Sequence, residues 1–307
     1  MPLGRLSRAI DRLIDRGQGL DARGDPYAPP LEPAEVERLL ATVRAARFAE
    51  AAPPFAAPVA LDGTSTAIGV WLRPPARGSA WCILSLPYGG FARPDDLGLY
   101  NLHARALLAK GFGVAAPEMP YHGARAMPGR RSGWGFVRAD LGHTTRACAA
   151  AAADVSALAR HLREVRGAQR VVGLGISLGG NALGLAAAMG APVERLAFLA
   201  AVDNPVSFYR TGENREARRR TLAAAGVTLD DVGRAFEPVS PSTYPPPAPA
   251  LFAVPRHDLV VPASTQEAWR AAWRGERLDL RWEGHGVALA SPLAARRIAA
   301  WLARGVR

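Results

Sequence analysis

Cysteine, lysine and long apolar runs are all scarce in this chain of 307 residues. The two cysteines, Cys82 and Cys148, each stand in an apolar run, which predicts buried thiols instead of a disulfide framework. No apolar run approaches the roughly 18 residues that a membrane-spanning helix needs, so we expect no membrane span. The N-terminal residues also lack the uninterrupted apolar stretch of a secretory signal, which favours a cytoplasmic location.

Patterns typical of metal and nucleic-acid sites are missing as well. No group of cysteines and histidines has zinc-ligand spacing, and no carboxylate-rich loop is typical of a calcium site. The formal net charge is +11, but the arginines are spread along the chain and Lys110 is the only lysine. Because nucleic acids are bound by clustered basic faces, scattered charge argues against such a partner. We therefore expect no metal, no cofactor and no nucleic acid.

Two helical patterns open the sequence. The first covers residues 1–16 and the second covers residues 34–52. The apolar positions of the first pattern are Leu3, Leu6, Ile10, Leu13 and Ile14. Together the two patterns predict an N-terminal helical arm over residues 1–56 that packs against the body of the protein, with a membrane-surface role as the alternative. The arm could also pack against a neighbouring subunit, so an oligomer is left open.

From about residue 57 the sequence alternates between short β-prone runs and longer helical runs. We expect strands at the apolar runs that begin near residues 57, 67, 80, 112, 170, 196, 250 and 278. Such alternation predicts an α/β domain, here residues 57–307, whose mostly parallel sheet is covered by helices on both faces. The segment 203–249 is too long for an ordinary connection and is expected to form a small cap insertion, with a rigid tether as the alternative.

The segment GISLGG, residues 175–180, places one serine between a β-prone run and an alanine-rich helical run. Gly-x-Ser-x-Gly in this context is typical of a nucleophile elbow, in which small neighbours permit a strained turn that exposes the hydroxyl of Ser177. The amide of Leu178, at the start of the following helix, is then predicted to donate to an oxyanion. A turn that merely requires glycine is the alternative.

A serine hydroxyl is a weak nucleophile and needs a base, which in turn needs an orienting acid. Asp258 follows the apolar run ALFAVP, and His285 stands between two glycines after the run LDLRWE. The chain between them is long enough for one helix and one strand, so both side chains can return to the sheet edge that carries Ser177. Asp203, which follows the preceding β-prone run, is the alternative acid.

In combination, the segments GISLGG, RHDLVVP and EGHG resemble the α/β-hydrolase superfamily, in particular its serine esterases and lipases. The resemblance covers the chain from about residue 57 to the C-terminus and implies an eight-stranded, mostly parallel sheet. It implies that Ser177 is the nucleophile, His285 the general base and Asp258 its orienting acid in a hydrolase of small-molecule carboxylic esters. Acyl transfer, peptide cleavage and non-catalytic binding on the same fold are the alternatives.

The resemblance also implies a second oxyanion donor in the loop after the third strand, here LSLPYGGFARPDD. Many relatives carry a His-Gly pair at this point, whereas this chain has Tyr88 and Gly89. We assign the donor to the amide of Gly90 and place Tyr88 and Gly89 in the substrate site. A plain glycine turn is the alternative for this stretch.

The segment PYHGAR, residues 120–125, resembles one that lines the pocket after the fourth strand in several branches of the superfamily. His122 and Arg125 are therefore predicted substrate-site residues. His122 precedes the serine in the chain, so a pocket or structural role is favoured over that of catalytic base. Arg125, Arg130 and Arg131 are expected at the rim of the entrance, where they would favour an anionic substrate, and ordinary solvated arginines are the alternative.

Overall fold

The computed structural model describes residues 4, 7–9, 11, 26–87, 97–211 and 215–305. Residues 4, 7–9 and 11 are helical, in agreement with the first helical pattern. Strands β1 to β9 are Phe55–Ala56, Ala67–Ile68, Val70–Arg73, Ala80–Ser85, Gly113–Pro117, Arg170–Ile176, Leu196–Leu199, Ala250–Pro255 and Glu276–Leu280. Helices α1 to α10 are Pro33–Ala45, Asn101–Leu108, Leu141–Glu164, Leu178–Ala188, Ser207–Arg210, Arg215–Ala224, Leu229–Ala235, Ala263–Ala272, His285–Leu289 and Pro292–Leu302.

The main sheet has the strand order β3-β5-β4-β6-β7-β8-β9. Strand β3 is antiparallel to β5, and all other neighbours in the sheet are parallel. Parallel strands are covered on both faces and therefore read as continuous apolar runs. Strand β8, with the sequence ALFAVP, is buried at every position. The alternation of strand and helix in the sequence thus predicts the observed layers.

The expectation of eight strands in the main sheet is wrong for the described residues, which contribute seven. The run APVAL at residues 57–61 forms no strand, because Pro58 has no N–H to donate to a ladder. Strand β1 lies just before this run and pairs only with β2, as a separate antiparallel ribbon. The next predicted strand divides at Gly69, so that β3 alone continues into the main sheet.

Two apolar clusters cover the two faces of the sheet. Successive side chains of β4 point to opposite faces, so Trp81 and Ile83 belong to one cluster and Cys82 and Leu84 to the other. The first cluster also contains residues of α1, α3, α4 and α8, and the second contains residues of α2 and α10. Helix α1 of the N-terminal arm packs on α3 of the body. The boundary of the arm at residue 56 stays a prediction.

The parallel strands all end at one edge of the sheet, where the register pairs Ser85 of β4 with Gly175 of β6 and Pro255 of β8 with Leu280 of β9. The loops that follow strands in open α/β sheets form ligand crevices at this edge. Helices α5 to α7 lie in the connection between β7 and β8, where the cap insertion was expected. No helix in the described part of the chain is long and apolar enough to cross a membrane.

Candidate active site

Ser177 occupies a strained turn between β6 and α4. Its backbone has φ 53° and ψ −125°, a conformation that glycine adopts readily and other residues rarely adopt. The turn is held in place because the Ser177 amide donates to the Leu199 carbonyl at 3.0 Å, and the Ser177 carbonyl accepts from the Val202 amide at 2.9 Å. Both partners lie at or just after the end of β7, so the neighbouring strand maintains the strain.

The glycines of the elbow are required by close backbone contacts. A Cβ on Gly179 would overlap the carbonyl of Ser85 at the end of β4, and a Cβ on Gly175 would lie 2.7 Å from the Cα of Gly180. Real Cβ atoms essentially never approach so closely. Helix α4 therefore rests directly on the end of β4, and the alternative of an ordinary glycine turn does not account for this packing.

His285 joins Ser177 to Asp258 in one line of hydrogen bonds. Nε2 of His285 lies 3.1 Å from Oγ of Ser177, and Nδ1 of His285 lies 2.9 Å from Oδ2 of Asp258. All three residues are buried. The structure thus brings together the three side chains that the sequence places after β6, β8 and β9, in the geometry that a serine nucleophile, a base and an orienting acid require.

The Asp258 carboxylate is fixed on both of its oxygens. Oδ1 accepts hydrogen bonds from the amides of Val260 at 2.9 Å and Val261 at 2.7 Å. Oδ2, which faces His285, also accepts from Nε2 of Gln266 in α8 at 3.3 Å. A carboxylate with this many donors is held in one orientation, and that orientation selects the tautomer of His285 with a proton on Nδ1.

The pKa of His285 is raised above its ordinary value of 6.5. Burial of the imidazole acts to lower the pKa, but the charge of Asp258, its hydrogen bond and the charge of Asp11 together outweigh burial. A raised pKa means that the site favours the imidazolium, which is the form that arises when the ring takes a proton from serine.

Asp203, the alternative acid, is engaged elsewhere. Its carboxylate accepts from the amide of Ser242 at 2.9 Å and from the hydroxyl of Ser242 at 2.6 Å. Burial raises the pKa of Asp203, while these two hydrogen bonds act in the opposite direction. In the structure, Asp258 and not Asp203 is therefore the acid at Nδ1 of His285. Asp203 instead holds the segment that contains Ser242, in the connection between β7 and β8.

Of the two predicted oxyanion donors, Leu178 lies within the described residues and Gly90 does not. Leu178 is the first residue of α4, where amides have no acceptor within the helix, and it lies next to Ser177. Tyr88, Gly89 and Gly90 lie outside the described residues, so their predicted roles stay predictions. The described part of their loop ends at residue 87, just after the end of β4, which contacts the elbow at Gly179.

His122 is buried and its ring is held by the backbone. Its Nδ1 lies 2.7 Å from the carbonyl oxygen of Pro120. Burial lowers the pKa of His122 to about 4, against the raising effect of the Pro120 hydrogen bond. The ring is therefore neutral near pH 7, in keeping with a structural role in its loop. A contact between His122 and substrate stays a prediction.

The expectation that Arg125 stands at the entrance rim is wrong, because its side chain is fully buried. One guanidinium nitrogen donates to Oδ2 of Asp154 in α3 at 2.6 Å and to the carbonyl of Glu118 at 2.9 Å. Burial raises the pKa of Asp154 to about 6, although the Arg125 charge opposes the rise. The pair ties the loop after β5 to α3, and a buried guanidinium is tolerated because it is paired.

Two residues that contact the site were not identified from the sequence. Gln266 lies on the amphipathic helix α8 and donates to the Asp258 carboxylate, but no sequence motif marks it as a partner of that residue. Asp11 is one of several charged residues in the first helical pattern, yet it is fully buried and accepts a hydrogen bond from the His285 amide at 2.8 Å. The Asp11 contact cannot be predicted from local spacing, because it joins two segments that lie far apart in the chain.

No group of three or more metal-ligating side chains occurs within the ranges that the structure describes. Cys82 and Cys148 are buried free thiols, as predicted from their apolar runs. Burial raises the pKa of both thiols, so neither is a reactive thiolate near neutral pH.

Solved structures similar to this chain share little of its sequence. An acetyl xylan esterase from Paenibacillus sp. R4 has a TM-score of 0.60 and 14% identity, over 91% of this chain and 96% of that chain. Acetyl xylan esterase 1 from Thermoanaerobacterium sp. JW/SL YS485 has a TM-score of 0.60 and 16% identity, over 92% and 96%. A puromycin-hydrolysing peptidase from Mycobacterium tuberculosis has a TM-score of 0.54 and 18% identity, over 81% of this chain and 35% of that chain. No family model and no curated protein sequence matches the chain.

The strand order, the strained serine turn and the similarity to these structures define the α/β-hydrolase fold. The fold class predicted from the sequence is therefore confirmed. At such low identities the likeness concerns the fold alone, and the chemistry has to be argued from the side chains.

Proposed function

We propose that this chain is a serine hydrolase that cleaves a small-molecule carboxylic ester through an acyl-enzyme intermediate. The observation that carries the proposal is the unbroken line from Ser177 Oγ through the His285 ring to Asp258, with contacts of 3.1 Å and 2.9 Å. A buried serine in a strained turn, aligned with a histidine and a carboxylate, has no structural role that explains all three features.

In the proposed acylation, Oγ of Ser177 attacks the ester carbonyl carbon while Nε2 of His285 accepts the hydroxyl proton. The carbonyl oxygen becomes an oxyanion that the Leu178 amide stabilises, with a second donor assigned to Gly90. When the tetrahedral intermediate collapses, the carbon–oxygen bond to the alcohol breaks and the His285 imidazolium gives its proton to the leaving alcohol. Asp258 holds the ring and balances its positive charge throughout.

In the proposed deacylation, His285 removes a proton from water, whose oxygen attacks the acyl carbon. Collapse of this second intermediate releases the carboxylic acid and returns the proton to Oγ of Ser177, so that the enzyme is regenerated. No group beyond this chain and water is needed for the cycle. The same acyl-enzyme would serve acyl transfer or peptide cleavage, since only the acceptor or the leaving group differs.

The structural neighbours suggest where to look for the substrate. Two of them are named as acetyl xylan esterases, so acetyl esters are the first acyl class to test. Chromogenic p-nitrophenyl esters from acetyl to long acyl chains would measure how acyl length affects kcat/KM. A parallel assay with an added alcohol, in which ester and acid products are separated, distinguishes hydrolysis from acyl transfer, and a peptide substrate tests the third alternative.

The deciding control is Ser177→Ala. It removes the nucleophile without adding bulk, and because members of such a triad act as a unit, turnover should fall by several orders of magnitude. A fluorophosphonate probe should label the wild-type protein at Ser177 and leave the variant unlabelled. Full hydrolysis by the variant would refute the assignment, and a wild-type protein that neither hydrolyses esters nor takes the probe would favour a non-catalytic binding protein.

A further inference from the structure

A buried carboxylate from the N-terminal arm, that of Asp11, contacts the backbone next to Asp258 and at His285. The side chain of Asp11 is fully buried and accepts three backbone hydrogen bonds. Its Oδ2 accepts from the amide of His285 at 2.8 Å and from the amide of Leu259 at 3.0 Å. Its Oδ1 accepts from the amide of Gly286 at 2.9 Å. One carboxylate therefore connects the loop that carries Asp258 to the first turn of α9, which begins at His285.

The residue before His285, Gly284, leaves space for the Asp11 carboxylate. A Cβ on Gly284 would lie 2.7 Å from Oδ2 of Asp11, which is too close for a real contact. The backbone of Gly284, at φ −97° and ψ −171°, is one that any residue can adopt. Glycine is therefore required at position 284 to make room for Asp11, and not because of its own backbone conformation.

Other residues of the arm contact the same two loops. The hydroxyl of Ser7 donates to the Trp282 carbonyl at 2.8 Å, just before the His285 loop. A guanidinium nitrogen of Arg8 lies 3.2 Å from Nδ1 of His257, which directly precedes Asp258. The described helical residues at the start of the chain thus contact the segments before Asp258 and before His285. Among them, the side chain of Asp11 accepts a hydrogen bond from the backbone of His285 itself.

The charges around His285 come from several elements. Among the described residues, Asp258 and Asp11 contact His285 directly, and Arg8 contacts His257, which precedes Asp258. His103 of α2 contacts the carbonyl of Leu289 at the end of α9, and the backbone carbonyl of Glu283 accepts from the His257 amide. Burial lowers the pKa of His103 to about 4, against the raising effect of its hydrogen bond to Leu289, so it is neutral near pH 7. The two carboxylates, Asp258 and Asp11, are the charges that raise the pKa of the His285 ring.

We infer that Asp11 is a positioning residue of the proposed hydrolase: its carboxylate fixes the backbone at Leu259, His285 and Gly286 and thereby holds the imidazole in line between Ser177 and Asp258. The inference rests on the proposed function, because the position of the ring matters only if the ring transfers protons. The negative charge of Asp11 also stabilises the imidazolium that forms in each half of the cycle. The N-terminal arm is thus part of the site.

The test compares Asp11→Asn with a matched control, Asp140→Asn. Both changes remove a carboxylate that accepts a backbone amide, since Asp140 Oδ1 accepts from the His143 amide at 2.7 Å at the start of α3. Asp11→Asn presents an N–H group to at least one backbone donor and removes the charge. We expect kcat for p-nitrophenyl acetate to fall by about tenfold to a hundredfold, the size expected when hydrogen bonds to a charged acceptor are lost. KM should change little, because the Asp11 side chain is fully buried and its oxygens accept from backbone amides of the protein.

Two measurements separate positioning from simple stabilisation. Active-site titration with a fluorophosphonate expresses kcat per competent molecule, so a partly unfolded preparation does not imitate the effect. An NMR titration of the His285 ring, assigned by its loss in His285→Ala, reports its pKa without any assay of activity. Asp11→Asn should lower this pKa and move the acid limb of kcat/KM to lower pH, whereas Asp140→Asn should leave both as in the wild type.

Gly284→Ala provides a second variant that keeps every charge. Its methyl group would displace the Asp11 carboxylate, so it should reduce kcat as Asp11→Asn does, and the double variant should be no worse than the poorer single one. The inference is overturned if both variants keep the wild-type kcat per titrated site and the wild-type His285 pKa. Failure of the proposed function would give a different result, because the wild type and Ser177→Ala would then be equally inactive towards esters. The NMR titration would still show whether Asp11→Asn changes the pKa of His285.

Discussion

The contact of 3.1 Å between Ser177 Oγ and His285 Nε2 joins two strands that are not neighbours in the sheet. Ser177 follows β6 and His285 follows β9, and strands β7 and β8 lie between them. The contact therefore depends on the whole carboxyl edge of the sheet and on the loops that project from it. Changes that move either loop, or that alter the charge on the ring, have predictable consequences.

The pH dependence expected of the proposed hydrolase follows from the raised pKa of His285. The ring must be neutral to accept the Ser177 proton, so kcat/KM should rise with pH through a pKa above the ordinary 6.5. Asp258→Asn removes the stronger of the two charges that raise this pKa, so the acid limb should move to lower pH. The same change should reduce kcat by about 10⁴-fold, because the wrong tautomer is favoured. An acid limb unchanged by this substitution would contradict the assigned pair.

Backbone strain at Ser177 predicts a difference between two inactive variants. Ser177→Ala keeps a Cβ at φ 53° and ψ −125°, whereas Ser177→Gly removes it. Relief of such strain is worth about 1–3 kcal/mol, offset in part by the roughly 0.5–1 kcal/mol of chain entropy that glycine loses on folding. The glycine variant should therefore have the higher free energy of unfolding in urea. Equal stability of the two would show that the turn is not strained.

Two Gly→Ala substitutions should differ in their effects on the stability of the fold. Gly179→Ala would press a methyl group into the Ser85 carbonyl, a contact between backbones that cannot be relieved by a side-chain rotation. We expect it to destabilise the fold by at least about 1–3 kcal/mol, as overpacked sites do, and to abolish activity. Gly233→Ala, in α7, meets nothing within 4 Å and should be neutral or stabilising by up to about 1 kcal/mol. Thermal and urea unfolding of both variants measure the contrast.

The buried pair Arg125–Asp154 should contribute to stability and not to substrate affinity. Arg125→Ala leaves the Asp154 carboxylate buried without its counter-charge, which typically costs about 3–5 kcal/mol. Replacing both by apolar residues, Arg125→Met with Asp154→Leu, should cost less than the single change. KM for neutral and anionic esters should stay as in the wild type. A higher KM for anionic esters at unchanged stability would instead restore Arg125 to the substrate site.

Local patterns account for the parts of the fold that were predicted correctly. A strand that is buried on both faces needs apolar side chains at successive positions, so a continuous run such as ALFAVP predicts a buried strand. Strand β8 coincides with that run. Helix α3 contains the alanine-rich segment and begins at Leu141, and the side chain of Asp140 caps its N-terminus. The strand at residues 57–61 was predicted from apolar residues alone, and Pro58 shows why that pattern was insufficient.

The candidate triad could be located because each member stands next to a local signal. Ser177 lies in a glycine elbow, and Asp258 and His285 each follow an apolar run whose end must reach the same sheet edge. Arg125 had no such signal for its environment. An arginine in a loop is exposed by default, and only the presence of Asp154 on a packed helix explains its burial.

Periodicity, turn chemistry and the order of the motifs are properties of short segments, and from them follow the α/β layers, the serine turn and the identity of three candidate side chains. Three features depend on contacts between segments far apart in the chain: the hydrogen bonds that Asp11 accepts, the burial of Arg125 and the number of strands in the main sheet. Such contacts form only when the segments pack together. A carboxylate binds whichever donors lie near it in space, and this proximity produces no periodic pattern in the sequence.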